Sequence, residues 1–376
     1  MDGATRARTT TGSSGCSSGK ACPGLFPTSV SSIMTERVLT QRELNRAVLA
    51  RQLLLERARL PLPRALERVG GLQAQYAPSM YIGLWTRIAA FEREALTRAL
   101  ERRSVVQATL MRATIHLVSA RDFWPFARGI RRGRQDWWLR VHRGVQAEEL
   151  AAAAERLRRH LAGRQRHRDE LLEVVGRSEL GGVSLWLDLV RVPPSGTWEQ
   201  RRADLYALAE DWLGRAEIPS DEALLHLVRR YLSAFGPAAP ADVAQWAGLR
   251  LPEIRPALER LRLRRFRTEE GEELLDLPQA PLPDAKTPAP VRFLPTWDAT
   301  LLVHARRSAI LPERYRPLVF NTKTPQSTPT FLVDGAVAGT WRYVDGRVRI
   351  EPFDPLPRRV RAEVEDEAAR LAAFHR

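Results

Sequence analysis

The chain has 376 residues, 44% of them hydrophobic, which is enough for about two to four folded units and too much for one small core. Its net charge is +15, and the basic residues are all arginine apart from Lys20, Lys286 and Lys323. Both cysteines, Cys16 and Cys22, fall in the first 33 residues, and no apolar run approaches the roughly 18 residues of a membrane helix, so the rest of the chain has no disulfide framework, Cys-based zinc site or membrane span.

Arginine carries a planar fork of donors that fits phosphate, which directs attention to nucleic acid. An Arg-, Ala- and Leu-rich chain is also what a GC-rich genome encodes, but that does not explain why acidic residues fail to keep pace. Residues 1–33 are rich in Ser, Thr and Gly, lack the apolar stretch of a signal peptide, and read as a disordered tail ahead of Met34. A cytoplasmic, nucleoid-associated monomer with no membrane partner is expected.

After Met34, "VLTQRELNRAVLARQLLLER" carries a capping box at Thr40 and Glu43, with Leu44, Val48 and Leu49 at helical spacing. A short helix, "PRALERV", stops at Gly70-Gly71. Pro78 opens another through "SMYIGLWTRI", and a fourth lies near 92–102. "SVVQATLMRATIHLV" reads as a hairpin at 105–118. Helices followed by a hairpin are the order of a winged helix, here over 34–145. A second such unit is expected over 146–218: a helix at 147–168, then "RDELLEVV", "GGVSLWLDLVRV" and the turn "PPSG". The third, 219–280, is the clearest. It has "DEALLHLVRRYLSAFG", "APADVAQWAGL" and "PEIRPALERL" as helices and "RRFRTEEGEELLDL" as the wing. A Pro-rich linker runs through 278–290. Two alternating segments with Asp-Gly turns at 334–335 and 345–346 then predict an antiparallel β domain over 291–376, closed by a helix at 357–375. The fold class is α+β: tandem winged helix-turn-helix units with a small C-terminal antiparallel β domain.

No metal-ligand spacing, Gly-rich phosphate loop or G-x-S-x-G elbow occurs, so neither a metal nor a cofactor is expected. A tandem of basic winged helices implies duplex DNA. At this level a non-catalytic regulator or architectural protein remains open, as does a binder that sequesters a DNA-alkylating toxin.

Four stretches in order carry a resemblance: "LQAQ" after a short helix, "LMRATIHLVSARDF" at 110–123, "LPTWDATLLVHARRSAILPERYRPLVF" at 294–320 and "PTFLVDGAVAGTWR" at 329–342. Together they resemble the winged-helix DNA glycosylases of the AlkZ/YcaQ type, over about residues 36–375. The resemblance implies a monofunctional DNA glycosylase acting on duplex DNA with bulky N7-alkylated purines, with interstrand crosslinks among its substrates, in repair or in self-resistance to a genotoxin. The family's motif is a glutamine, an apolar residue, then glutamine or aspartate. Here it reads Gln73-Ala74-Gln75, the Gln–Gln branch, and makes Gln73 and Gln75 the catalytic candidates. Supporting roles fall to His116, which matches a recurrent family position, and to Asp298. Arg131, Arg132, Arg134, Arg306 and Arg307 are candidate phosphate contacts.

Other readings stand beside these. The glutamines could cap the helices around them, His116 could be a buried histidine satisfied by backbone, and Asp298 could make an Asx-type turn.

Overall fold

The capping box at Thr40 forms: its hydroxyl accepts from the Glu43 amide at 3.2 Å, and the Glu43 carboxylate accepts from the Thr40 amide at 2.9 Å. It opens α1 (Gln41–Arg51), which follows the two-residue β1 (Val38–Leu39). The computed structural model describes residues 37–176, 180–302, 304, 307–320 and 327–376, with Arg307 described in its backbone alone. The expected tail at 1–33 lies outside these.

Next come α2 (Leu62–Val69), β2 (Leu72–Gln73), α3 (Ala77–Trp85), α4 (Arg93–Glu101) and the hairpin of β3 (Val105–Thr109) and β4 (Ile115–Ser119). The hairpin leads into α5 (Ala120–Val141), the longest helix among the described residues. Its sequence disguises it, because Pro125, Gly129 and Gly133 interrupt the pattern. Tertiary packing overrides that local penalty. Phe126, Ala127 and Ile130 are buried. A Cβ on Gly133 would stand 2.1 Å from the tip of the Leu249 side chain, which would have to move to admit one.

The middle of the chain forms α6 (Ala147–Leu161), β5 (Arg166–His167), α7 (Arg168–Val175), α8 (Leu180–Val183), β6 (Leu189–Arg191), β7 (Leu205–Leu208) and α9 (Ala209–Leu213). The helix expected over 147–168 ends at Leu161, because Arg166 and His167 turn into a strand paired with Tyr206 and Leu205. Strands expected in two separate units share one six-stranded sheet of order β2-β4-β3-β6-β7-β5, joined where Gln107 of β3 faces Arg191 of β6.

The third group is α10 (Ser220–Phe235), α11 (Pro240–Ala247), α12 (Leu251–Arg260) and the wing of β8 (Arg264–Thr268) and β9 (Glu273–Asp276). Gly248 is left-handed past α11, as its position after the helix predicts. β1 joins this wing in parallel, Val38 facing Arg267, and α1 lies against α10. Arg51 of α1 is fully buried against fully buried Asp276 at 2.7 Å and also donates to the Leu232 carbonyl at 2.9 Å.

The proline-rich stretch at 278–290 is tied down rather than free. Prolines leave carbonyls without neighbouring N–H groups, and three arginines of α1 fill them. Arg51 donates to Pro281 O at 2.9 Å, Arg42 to Ala285 O at 2.8 Å and Arg46 to Thr287 O at 2.7 Å.

Beyond it, β10 (Arg292–Leu294), the short α13 (Arg316–Val319), β11 (Thr330–Val333), β12 (Ala336–Val344) and β13 (Arg347–Pro352) lead to α14 (Arg358–His375). The four strands form one antiparallel sheet in chain order. Both Asp-Gly turns have two successive positive φ angles, 48° and 81° at 334–335 and 50° and 74° at 345–346, the type I′ geometry that suits a two-residue hairpin. Phe293, Phe331 and Trp341 from this sheet share a core with Met80 and Tyr81 of α3 and Leu371 of α14.

Candidate active site

The segment between α2 and α3 is non-helical, with its extended part at Leu72–Gln73. Gly70, at φ 76°, caps α2, and Gly71 follows at φ 83°. A Cβ at Gly71 would stand 2.9 Å from the Val118 side chain and 3.1 Å from the Leu117 carbonyl, so the chain can lie this close to β4 only without one. β2 then pairs with β4 as the edge of the six-stranded sheet, Leu72 facing Leu117 and Gln73 facing His116. The Ala74 amide extends the ladder to Ile115 O at 2.8 Å.

Strand alternation sends Leu72 and Ala74 into the core and leaves Gln73 half-buried and Gln75 exposed. The two carboxamides meet: Gln73 Nε2 donates to Gln75 Oε1. Neither glutamine caps a helix, since Gly70 ends α2 and α3 begins at Tyr76 with no side-chain cap.

Arg112 completes the group and is the residue that sequence reasoning misses. It lies in the β3–β4 turn at φ 54°, beside Ala113 at φ 55°, a left-handed pair no side chain favours. Its guanidinium donates to the Trp246 carbonyl at 2.6 Å, near the negative end of α11, and to Gln73 Oε1 at 3.3 Å. Arginine can only donate. Gln73 therefore turns its oxygen to Arg112 and its NH2 to Gln75, and Gln75 must present its own oxygen in return. Each carbonyl oxygen keeps one lone pair.

His116 lies beside Gln73 across the ladder but is only 3% exposed. Its Nδ1 donates to Thr114 O at 2.9 Å, which leaves Nε2 unprotonated. Burial, with the Arg112 charge added, pushes its pKa down to about 3. His304, buried against Phe235 at 5.0 Å between ring centres, is held well below its ordinary value by burial, Arg112 and His116.

A histidine whose folded pKa lies below its unfolded one gives stability that is complete above about pH 6.5 and is lost as pH falls towards 3. For His116 the loss by pH 5 is roughly 2 kcal/mol. Urea unfolding at about pH 7.5 and about pH 5 should show it, and His116→Leu should lose about that much less between the two. Equal losses in both proteins would contradict a neutral buried His116.

The other candidates are placed elsewhere. Asp298, 4% exposed, pairs with buried Arg87 at 2.9 Å and accepts from the Thr300 amide at 3.1 Å and hydroxyl at 2.8 Å. Its Oδ1 accepts from Thr300 and Arg87 and its Oδ2 from Arg87, so both oxygens have partners within the fold. Arg131 and Arg134 both pair with Asp188, Arg134 at 3.4 Å. Arg132 is exposed and unpaired among the described residues. Arg306 and the side chain of Arg307 lie outside them.

A family model described as DNA glycosylase AlkZ-like matches residues 66–374. An interstrand DNA cross-link repair glycosylase of Streptomyces sahachiroi is 26% identical over 355 residues, spanning 86% of this chain and 93% of that protein. The solved structure of the Streptomyces sahachiroi DNA glycosylase AlkZ shares the fold, with a TM-score of 0.76 and 23% identity over 90% of this chain and 98% of that one.

Proposed function

The chain belongs to the DNA glycosylase AlkZ-like family, and from that premise we propose that it hydrolyses the N-glycosidic bond of bulky N7-alkylated purines in duplex DNA, with Gln73 and Gln75 as its catalytic pair. The family is one of enzymes, so the reading as a non-catalytic regulator gives way. The single observation that carries the proposal is the Arg112–Gln73–Gln75 chain, which links the two carboxamides at the edge of the six-stranded sheet.

The substrate explains why amides suffice. An N7-alkylated purine is already cationic. When the bond from C1′ to N9 breaks, the electron pair goes to the ring and the base leaves neutral, so no general acid is required. A water must then attack the oxocarbenium-like sugar. It donates hydrogen bonds to the free lone pairs of Gln73 Oε1 and Gln75 Oε1, whose dipoles also face the positive charge developing on the sugar. An amide is too weak a base to keep the proton, which passes to solvent as the new C–O bond forms. The result is a weak catalyst for a labile bond. Water rather than a protein amine is the nucleophile, which makes the enzyme monofunctional.

Interstrand crosslinks through N7 fall within this chemistry, because each end is such a cationic purine, and a relative is named for their repair. The enzyme acts as a monomer, in repair or in self-resistance to a genotoxin. The test is incubation with duplex carrying a single N7-methylguanine, then alkali. Strand scission at that guanine is expected. An intact strand after prolonged incubation with excess enzyme would refute the assignment.

A further inference from the structure

β13 is the edge of the four-stranded sheet, and among the described residues no strand pairs with its outer side. Its register on β12 decides which backbone groups are left over. The Phe353 amide, just past the strand, donates inward to Ala338 O at 2.9 Å. Antiparallel bonding alternates, so Arg347, Arg349 and Glu351 also bond inward, while the N–H and C=O of Val348 and Ile350 point away from β12. Pro352, which has no N–H, closes the row.

That edge borders a groove of about 400 Å³ between β13 and α14. Val348, Ile350, Ala368 and Ala372 give it an apolar floor. Arg347, Arg361 and Arg376 line it as well, and Glu365 is the one acidic side chain there among the described residues. All three arginines are exposed and have no carboxylate partner among those residues. From Arg361 to Arg376 the helix wall runs about 22 Å, the reach of an extended segment of about seven residues.

We propose that this groove takes an extended, acidic peptide segment of a partner protein, which adds to β13 as a fifth strand. Its backbone meets the free groups of Val348 and Ile350, its alternate apolar side chains lie on the floor, and its carboxylates meet the arginines. The charge selects the occupant. A second copy would bring the same arginines and the same net charge of +15 to the groove. Residues 1–33 of this chain carry Arg6, Arg8 and Lys20 against Asp2, which is the wrong sign. DNA phosphates only accept hydrogen bonds, so they would leave the two carbonyls unmet, and they bring nothing apolar to the floor. Strand addition at this edge does not depend on what the glutamines do.

The test uses the full chain and an end-capped, fluorescein-labelled peptide, Glu-Asp-Val-Thr-Val-Asp-Glu, followed by anisotropy. The peptide should bind, and its counterpart with lysine in place of every acid should bind at least about tenfold weaker. Arg347→Glu and Arg361→Glu, both at exposed positions, should each weaken binding about fivefold, with melting temperature and base excision unchanged. Successive amides of a strand point to opposite edges, so N-methylation of one alternate set should abolish binding and of the other set should leave it. Both sets behaving alike would overturn the proposal. So would no saturable binding at millimolar peptide, or a lysine peptide that binds as well as the acidic one. Displacement of the peptide by a short undamaged duplex would make this a DNA surface and refute a peptide site. A dimer that Arg347→Glu dissociates would give the edge to a second copy, with the same result.

Discussion

Gln73→Ala and Gln75→Ala should each slow excision of N7-alkylguanine by up to about 10²-fold, the usual effect of losing a positioned polar group, with duplex affinity nearly unchanged. The effect should fall short of that ceiling because the bond is already labile. Both side chains act on one water, so the double variant should be slower than either single but faster than the product of the two effects predicts. The orientation imposed by Arg112 makes the two positions unequal. Gln75 accepts from the NH2 of Gln73, and a carboxylate accepts there equally well. Gln75→Asp should therefore keep activity, with a rate that falls as pH drops through its carboxylate pKa, since only the ionised form accepts and draws the proton. A carboxylate at 73 would instead be captured by Arg112 as an ion pair and turn an acceptor towards the Gln75 oxygen, so Gln73→Glu should be impaired. Single-turnover rates against pH decide it. Parental rates in all these variants would mean the motif is structural. A Gln75→Asp protein that binds DNA and is dead at every pH would rule out water positioning at residue 75.

Arg51→Leu should cost about 3–5 kcal/mol of unfolding free energy, the penalty for leaving half of a buried ion pair behind. Asp276 accepts from Arg51 at 2.7 and 3.0 Å and from Arg264 at 2.6 Å, so it serves two cations. Asp276→Asn should cost at least as much as Arg51→Leu, because Arg51 would remain fully buried with no anion. The pair clips α1 to α10 and β9, and the loss should appear in urea unfolding followed by tryptophan fluorescence. Arg51→Leu together with Asp276→Leu should cost less than the sum of the two singles. Single variants within about 0.5 kcal/mol of the parent, the range of ordinary surface changes, would show that the clip carries no load.

Much of the local structure was legible from residue patterns. Thr40 with Glu43, Gly248 after its helix, and two Asp-Gly dipeptides each act over a few residues, and backbone sterics allow them little choice. The glutamine motif was legible as a non-helical break for the same reason, because Gly70, Gly71 and Pro78 bound it. Arg112 was not. Its contacts to Gln73 and Trp246 span 39 and 134 residues of sequence, and its left-handed backbone leaves no mark in composition. Nor were the partners of Arg131, Arg134 and Asp298, because a charge in sequence does not reveal its partner: Asp188 lies 57 residues from Arg131 and 54 from Arg134, and Arg87 lies 211 from Asp298.

By itself, then, the sequence determined the order of helices, wings and turns, the basic and arginine-built character of the chain, and the presence of two glutamines on one non-helical segment. Those properties follow from periodicity, capping and steric rules that operate within a turn or two. Only the tertiary structure decided that strands from the first and second units share one sheet, that β1 and α1 dock on the third wing, and that the proline-rich stretch is strapped by three arginines. It also decided which charges are spent inside the protein and which way each amide faces. A charged or amide side chain takes its partner from whatever the fold brings within about 3 Å, and that distance is set by packing between segments far apart in the chain.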